Sequence, residues 1–110
     1  MRRASARLTS MDFTEFVLSH LPSPQCRVLE VGCGTGELAR ALAARGHDVL
    51  AIDPEAPQGP IFRRTTIEEL DDPGTFDAAL ASFSLHHVTA LEPVLDKLAV
   101  LLATHGLLIV

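Results

Sequence analysis

Apolar positions along this chain follow two rhythms, one of helices and one of buried strands. Phe13, Phe16, Val17 and Leu21 recur at helical spacing before Pro22 and Pro24, which predicts a short amphipathic helix over 9–21. Residues 26–31 form a short apolar run with one acid near its end, the pattern of a buried strand. Leu38, Ala41 and Leu42 share one helical face over 37–45, with Gly46 placed to end the helix. A second strand follows over 48–52. Strand, helix and strand at this length make a βαβ unit, so the two strands should lie parallel with a right-handed crossover.

The next connection, 54–60, holds three prolines and a glycine and excludes a stable helix. Seven extended residues reach roughly 23–25 Å, and a parallel return needs roughly 17 Å for a five-residue strand. An extended crossover into a third strand over 61–65 is therefore feasible, with thin cover on one face of the sheet. One helical turn is expected over 68–70 and a tight turn over 72–74. A fourth strand follows over 76–81. Thr89 and Glu92 have the spacing of a capping box. The helix they start should run to about 103, with Leu91, Val94, Leu95, Leu98 and Leu102 as its buried stripe. His105 and Gly106 close it before a fifth strand.

Length and composition narrow the class. One domain is the ceiling for 110 residues, and 47% hydrophobic residues suffice for a core. No apolar run approaches the ~18 residues of a membrane span, and no signal-peptide pattern is present. Cys26 and Cys33 provide no disulfide framework and read as reduced thiols of a cytoplasmic protein. Net charge is −5. Arg2, Arg3 and Arg7 fall in the first nine residues, which hold no acid, so six of the nine Lys/Arg face all fourteen Asp/Glu. An acidic body is a poor partner for nucleic acid. The basic start, 1–9, reads as a frayed, flexible terminus. The chain ends inside an apolar run, 106–110. This predicts a single domain over 1–110 shortened at its C-terminal strands, with an open edge on the fifth strand that invites self-association.

Candidate chemistry centres on Val28-Leu29-Glu30-Val31-Gly32-Cys33-Gly34-Thr35-Gly36. A strand ends in an acid and passes into a loop with glycines at alternate positions, followed by a helix start. Such a loop lets a ligand lie on the backbone, beside the unpaired N–H groups of the helix. A dinucleotide fingerprint requires G-x-G-x-x-G, but here Glu37 takes the third glycine's place and Gly36 comes one residue early. An acid at that helix start also opposes a pyrophosphate. A nicotinamide-dependent reductase is therefore the weaker reading, and a cationic or zwitterionic nucleoside the better one.

With Glu30, Gly32, Gly34 and Gly36 in the first motif, Asp53 ending the second strand, and the stretch Phe76–Val88 as fourth strand and turn, the chain resembles class I S-adenosylmethionine-dependent methyltransferases of the type 11-like branch. The resemblance spans 27–110. It implies an α/β, Rossmann-like doubly wound fold with a mostly parallel five-strand sheet, order 3-2-1-4-5, and S-adenosyl-L-methionine as cofactor. It also implies methyl transfer to a small-molecule oxygen, nitrogen or carbon. The alternative is a cofactor-binding remnant or partner-completed module without turnover.

The resemblance distributes roles over the chain. Gly32, Cys33, Gly34 and Gly36 would floor the methionine part and ribose. Glu30 would stand near the cofactor's amino group, where an acid in an apolar run needs a partner. Asp53 would accept bonds from both ribose hydroxyls, and Pro54 would shape the wall near the adenine. Thr66 and Ile67 align where relatives read the adenine, with Thr66 in place of the usual acid. Ser82 and Phe83 would line the methionine end. His86 and His87 are the candidates for a general base. No third ligand stands at metal-binding spacing beside them.

Overall fold

The computed structural model describes residues 2–4, 13–71, 74–81 and 91–109. Its elements, in chain order, are β1 (Arg2–Ala4), α1 (Phe13–His20), β2 (Arg27–Val31), α2 (Glu37–Ala44), β3 (Asp48–Ile52), β4 (Phe62–Arg63), β5 (Phe76–Ala81), α3 (Leu91–Leu101) and β6 (Leu102–Ile109). The strands form one sheet, ordered β1-β6-β5-β2-β3-β4, with every pairing parallel. The order expected for the five later strands is the one observed.

Side-chain alternation along the strands divides the core between two faces. Val28, Val49, Ala51, Ala78, Leu80, Leu107 and Ile109 pack with Val17 of α1 and with Ala39 and Leu42 of α2. Leu29, Val31, Ile52, Ala79, Ala81 and Leu108 pack with Val94, Leu98 and Leu101 of α3. Helices on both faces are what allow a parallel sheet to bury both sides. His47 and Cys26 tie the opposite, amino end of the central strands. The His47 Nδ1 accepts the Cys26 N–H at 3.0 Å, which fixes His47 as a structural histidine.

Three expectations are corrected. Residues 2–4, expected to fray, form β1 and pair with 107–109 of β6. The edge of β6 is therefore occupied, which removes the ground for expecting two chains to join through it. The helix expected to reach 103 stops at Leu101, and β6 begins at once. Its pairing with β5 slips between Phe76 and Ala78, so that Phe76 sits opposite Leu102 and Ala78 opposite Leu107. The third of the expected strands shrinks to Phe62–Arg63, reached as predicted by an extended crossover without a helix. Ala56, in the middle of that crossover, is fully buried. Thr89 of the expected capping box lies outside the described residues, while Glu92 stands in the first turn of α3.

Candidate functional site

The carboxyl ends of β2 and β3 lie side by side, because Val31 pairs with Ile52. The glycine loop leaves β2 and folds over that edge. The N–H groups of Gly32 and Cys33 both donate to Ile52 O, at 2.9 and 3.1 Å. Asp53, the next residue after β3, then faces the loop. Its Oδ2 accepts the Gly34 N–H at 3.1 Å, and its Oδ1 accepts the Glu55 N–H at 2.9 Å. One carboxylate thus fixes the loop tip and the start of the crossover. Each oxygen keeps a lone pair for a ligand.

Three glycines of the loop have positive φ, at 80° for Gly32, 56° for Gly34 and 88° for Gly36. The last two serve different ends. A Cβ on Gly34 would meet no atom within 4 Å, so the backbone there is open to an incoming molecule. A Cβ on Gly36 would stand 2.5 Å from the Phe62 ring. Gly36 is therefore required by packing against β4. Arg40 completes this clamp. Its guanidinium lies 5.1 Å from the Phe62 ring centroid, and its Nη1 donates to Thr35 O at 2.8 Å. Phe62 and Arg40 shape the loop and were not singled out from the sequence. A phenylalanine in a short edge strand carries no local signal of where its ring will rest.

Glu30 lies next to the last residue of β2, between Ala51 of β3 and Leu80 of β5. It is 3% exposed, and its Oε1 has no hydrogen-bond partner among the described residues. Burial, and then repulsion from Asp53, push its carboxyl up to about 7. Cys33 is also buried, within electrostatic reach of Glu30 and Asp53. Burial first, then the negative charges of Glu30 and Asp53, raise its thiol to about 11. Cys33 is therefore a protonated, unreactive thiol at neutral pH.

Further along the same edge, Asp53 N donates to Arg63 O at 3.3 Å, which brings the end of β4 beside Asp53. Thr66 follows, and its hydroxyl is engaged with Glu69. It accepts the Glu69 N–H at 3.2 Å and donates to Glu69 Oε1 at 3.1 Å, which leaves one lone pair free. Ile67 is buried in the α3-side core. Lys97 of α3 holds this turn by donating to Glu68 O and Leu70 O, at 3.0 and 2.8 Å. Pro54 is exposed at the start of the crossover. The structure thus gathers Glu30, Gly32, Cys33, Gly34, Asp53 and Pro54 at one end of the sheet, with Thr66 and Ile67 alongside. Ser82, Phe83, His86 and His87 lie outside the described residues.

The arrangement suits a ligand with a cationic group and paired hydroxyls. A buried carboxyl oxygen with no partner calls for a hydrogen-bond donor. An open glycine and a carboxylate with spare lone pairs stand next to it. Among the described residues no group of three His, Cys, Asp or Glu is placed to hold a metal ion. No helix among them is long and apolar enough to cross a membrane.

Comparison with known proteins agrees with this geometry. The family model described as "Methyltransferase domain" matches residues 2–110. A ubiquinone biosynthesis O-methyltransferase of Rhodopseudomonas palustris (strain HaA2) is 34% identical over 97 residues, covering 76% of this chain and 38% of the relative. Its counterpart in Xanthomonas campestris is 33% identical over 109 residues, covering 86% and 43%. The chain thus spans about two fifths of the length of these relatives. Among solved structures, the Burkholderia thailandensis 1,6-didemethyltoxoflavin-N1-methyltransferase superposes with a TM-score of 0.69 at 27% identity, covering 84% of this chain and 47% of that one. That crystal contains 1,6-didemethyltoxoflavin and S-adenosylhomocysteine. A methyltransferase from Anabaena variabilis superposes at 0.71 with 24% identity, covering 88% and 44%, a likeness of fold.

Proposed function

The chain belongs to the class I S-adenosylmethionine-dependent methyltransferases, and on that premise we propose that it binds S-adenosyl-L-methionine at the carboxyl ends of β2 and β3 for methyl transfer to a small-molecule acceptor. The observation that carries this reading is the buried Glu30 Oε1, without a partner among the described residues, set beside the open Gly34 and the Asp53 carboxylate. An ammonium group supplies the donor that Glu30 lacks, directly or through water. Asp53 has lone pairs for two ribose hydroxyls. The backbone at Gly32 and Gly34 carries the ligand where no Cβ intervenes. Pro54, Thr66 and Ile67 wall the adenine.

When bound, the cofactor supplies an activated methyl group on a sulfonium. The residues of this chain then have to orient that group toward the acceptor and keep it in line. A relative named ubiquinone biosynthesis O-methyltransferase and a solved structure with bound 1,6-didemethyltoxoflavin support a small organic acceptor at oxygen, nitrogen or carbon. The free thiols of Cys26 and Cys33 fit a reducing, cytoplasmic setting.

Thermal unfolding tests the reading. Binding stabilises the folded state by about 2.7 kcal/mol at a ligand concentration of a hundred times Kd. S-adenosylhomocysteine should raise Tm accordingly, while NAD should leave it unchanged. Asp53→Ala should abolish most of the shift and Glu68→Ala, on the exposed turn, should preserve it. A shift with NAD and none with S-adenosylhomocysteine would overturn the proposal.

A further inference from the structure

Glu30 is a carboxyl in an environment that opposes its charge. Its strand neighbours on either side are Ala51 and Leu80, both fully or almost fully buried. Oε1 has no hydrogen-bond donor among the described residues. Asp53, from the end of β3, faces it with a negative charge. Cys33, from the loop, contributes a neutral thiol. The basic group of this neighbourhood, Arg40 of α2, acts on Cys33 and is itself taken up by Thr35 O and the Phe62 ring. From α1, Phe13, Phe16, Val17 and Leu18 pack against the core on this face.

A buried carboxylate without a cation or donor is unfavourable, and such a group keeps its proton. We propose that Glu30 is a neutral acid before ligand binds, and that an incoming ammonium group displaces its proton, so that loading of this site releases one proton to solvent. This rests on the cofactor reading given above and adds a regulation to it, a dependence of loading on pH. The balance is simple. Glu30 carboxylic acid and a ligand ammonium become a carboxylate–ammonium pair, and the carboxyl proton leaves to buffer. No electron moves, and no covalent bond changes other than O–H.

The shift of Glu30 toward neutrality sets the range in which the coupling is read. With its titration at about 7 before binding and returned to the ordinary carboxylate range or lower by the ion pair, affinity should rise about tenfold from pH 6 to pH 8. Below the midpoint the release should approach one proton, about 0.9 at pH 6.

Calorimetric titration of the 110-residue chain with S-adenosylhomocysteine tests this. Runs at pH 6 in buffers of different ionisation enthalpy give the number of protons released. The same titration follows Kd from pH 6 to 8. Close to one proton at pH 6, with the tenfold gain in affinity, supports the proposal. Glu30→Gln, which keeps shape and loses the titration, should bind more weakly with a flat pH profile and no proton release. Tight binding by the unmodified chain without proton release, or with a flat profile, would overturn the coupling while leaving the cofactor reading intact. Absence of binding at every pH would overturn the cofactor reading, and the coupling with it.

Discussion

The single side chain with most leverage on this molecule is Glu30. Its carboxyl titrates at about 7 in the folded chain against an ordinary 4.5, chiefly through burial and then through Asp53. Between those values the folded chain holds a proton that the unfolded chain has given up. Stability must therefore fall as pH rises through that window. At about 1.4 kcal/mol per unit the loss is about 3 kcal/mol. Urea unfolding at pH 5 and pH 8 should show it, and in Glu30→Gln this part of the difference should vanish. An identical pH dependence in both proteins would mean that Glu30 is ionised throughout. The acid was visible in the sequence because it interrupts an apolar strand just before a glycine loop. Its missing partner was not, because that depends on which side chains the neighbouring strands turn toward it. The same holds for Asp53, whose place at a strand end was legible while its bonds to Gly34 and Glu55 were not.

Among the elements, the join between the glycine loop and β4 is the one that sequence pattern could not supply. Alternate glycines announce a tight loop, and all three read alike. The structure separates them, because the ring of Phe62 fills the space beside Gly36 and leaves the space beside Gly34 empty. Such a contact joins positions far apart in the chain, so no local period records it. Helices and strands with a strong period were legible to within a few residues. The least regular joins were misread: β6 starts directly after α3 where two more helical residues were expected. Both Gly34→Ala and Gly36→Ala carry the strain of positive φ, about 1–2 kcal/mol. Only Gly36→Ala also drives a methyl group into Phe62. Gly36→Ala should therefore lower stability by at least about 1 kcal/mol more than Gly34→Ala, in line with the cost of overpacking. Phe62→Leu should recover part of that difference, because a smaller side chain leaves room. Chemical denaturation of Gly34→Ala, Gly36→Ala, Phe62→Leu and the double variant Gly36→Ala/Phe62→Leu measures it, and equal losses at the two glycines would place the ring elsewhere.

At the scale of the whole molecule the question is how the sheet manages its edges. A parallel sheet with an open, apolar edge strand recruits other chains, and β6 is apolar over Leu107, Leu108 and Ile109, all buried. The expectation of an exposed edge followed from the apolar run 106–110, while the basic start of the chain read as loose. Charge and polarity hid its role, since a three-residue strand has too few positions to show a period. In the fold, Arg2, Arg3 and Ala4 pair with Leu107, Leu108 and Ile109, so the edge facing outward is a short one with two arginines in its sequence. Short, charged edge strands discourage further pairing. Removing residues 1–4 should uncover β6 and promote association through it. We expect the 110-residue chain to sediment as a monomer and the shortened chain to form dimers or larger species at the same concentration. Arg2→Glu/Arg3→Glu, which keeps the backbone pairing, should remain monomeric. If the shortened chain stays monomeric and as stable as the intact one, β1 does not guard this edge, and the protection lies in the loop end of β6 where its register with β5 slips.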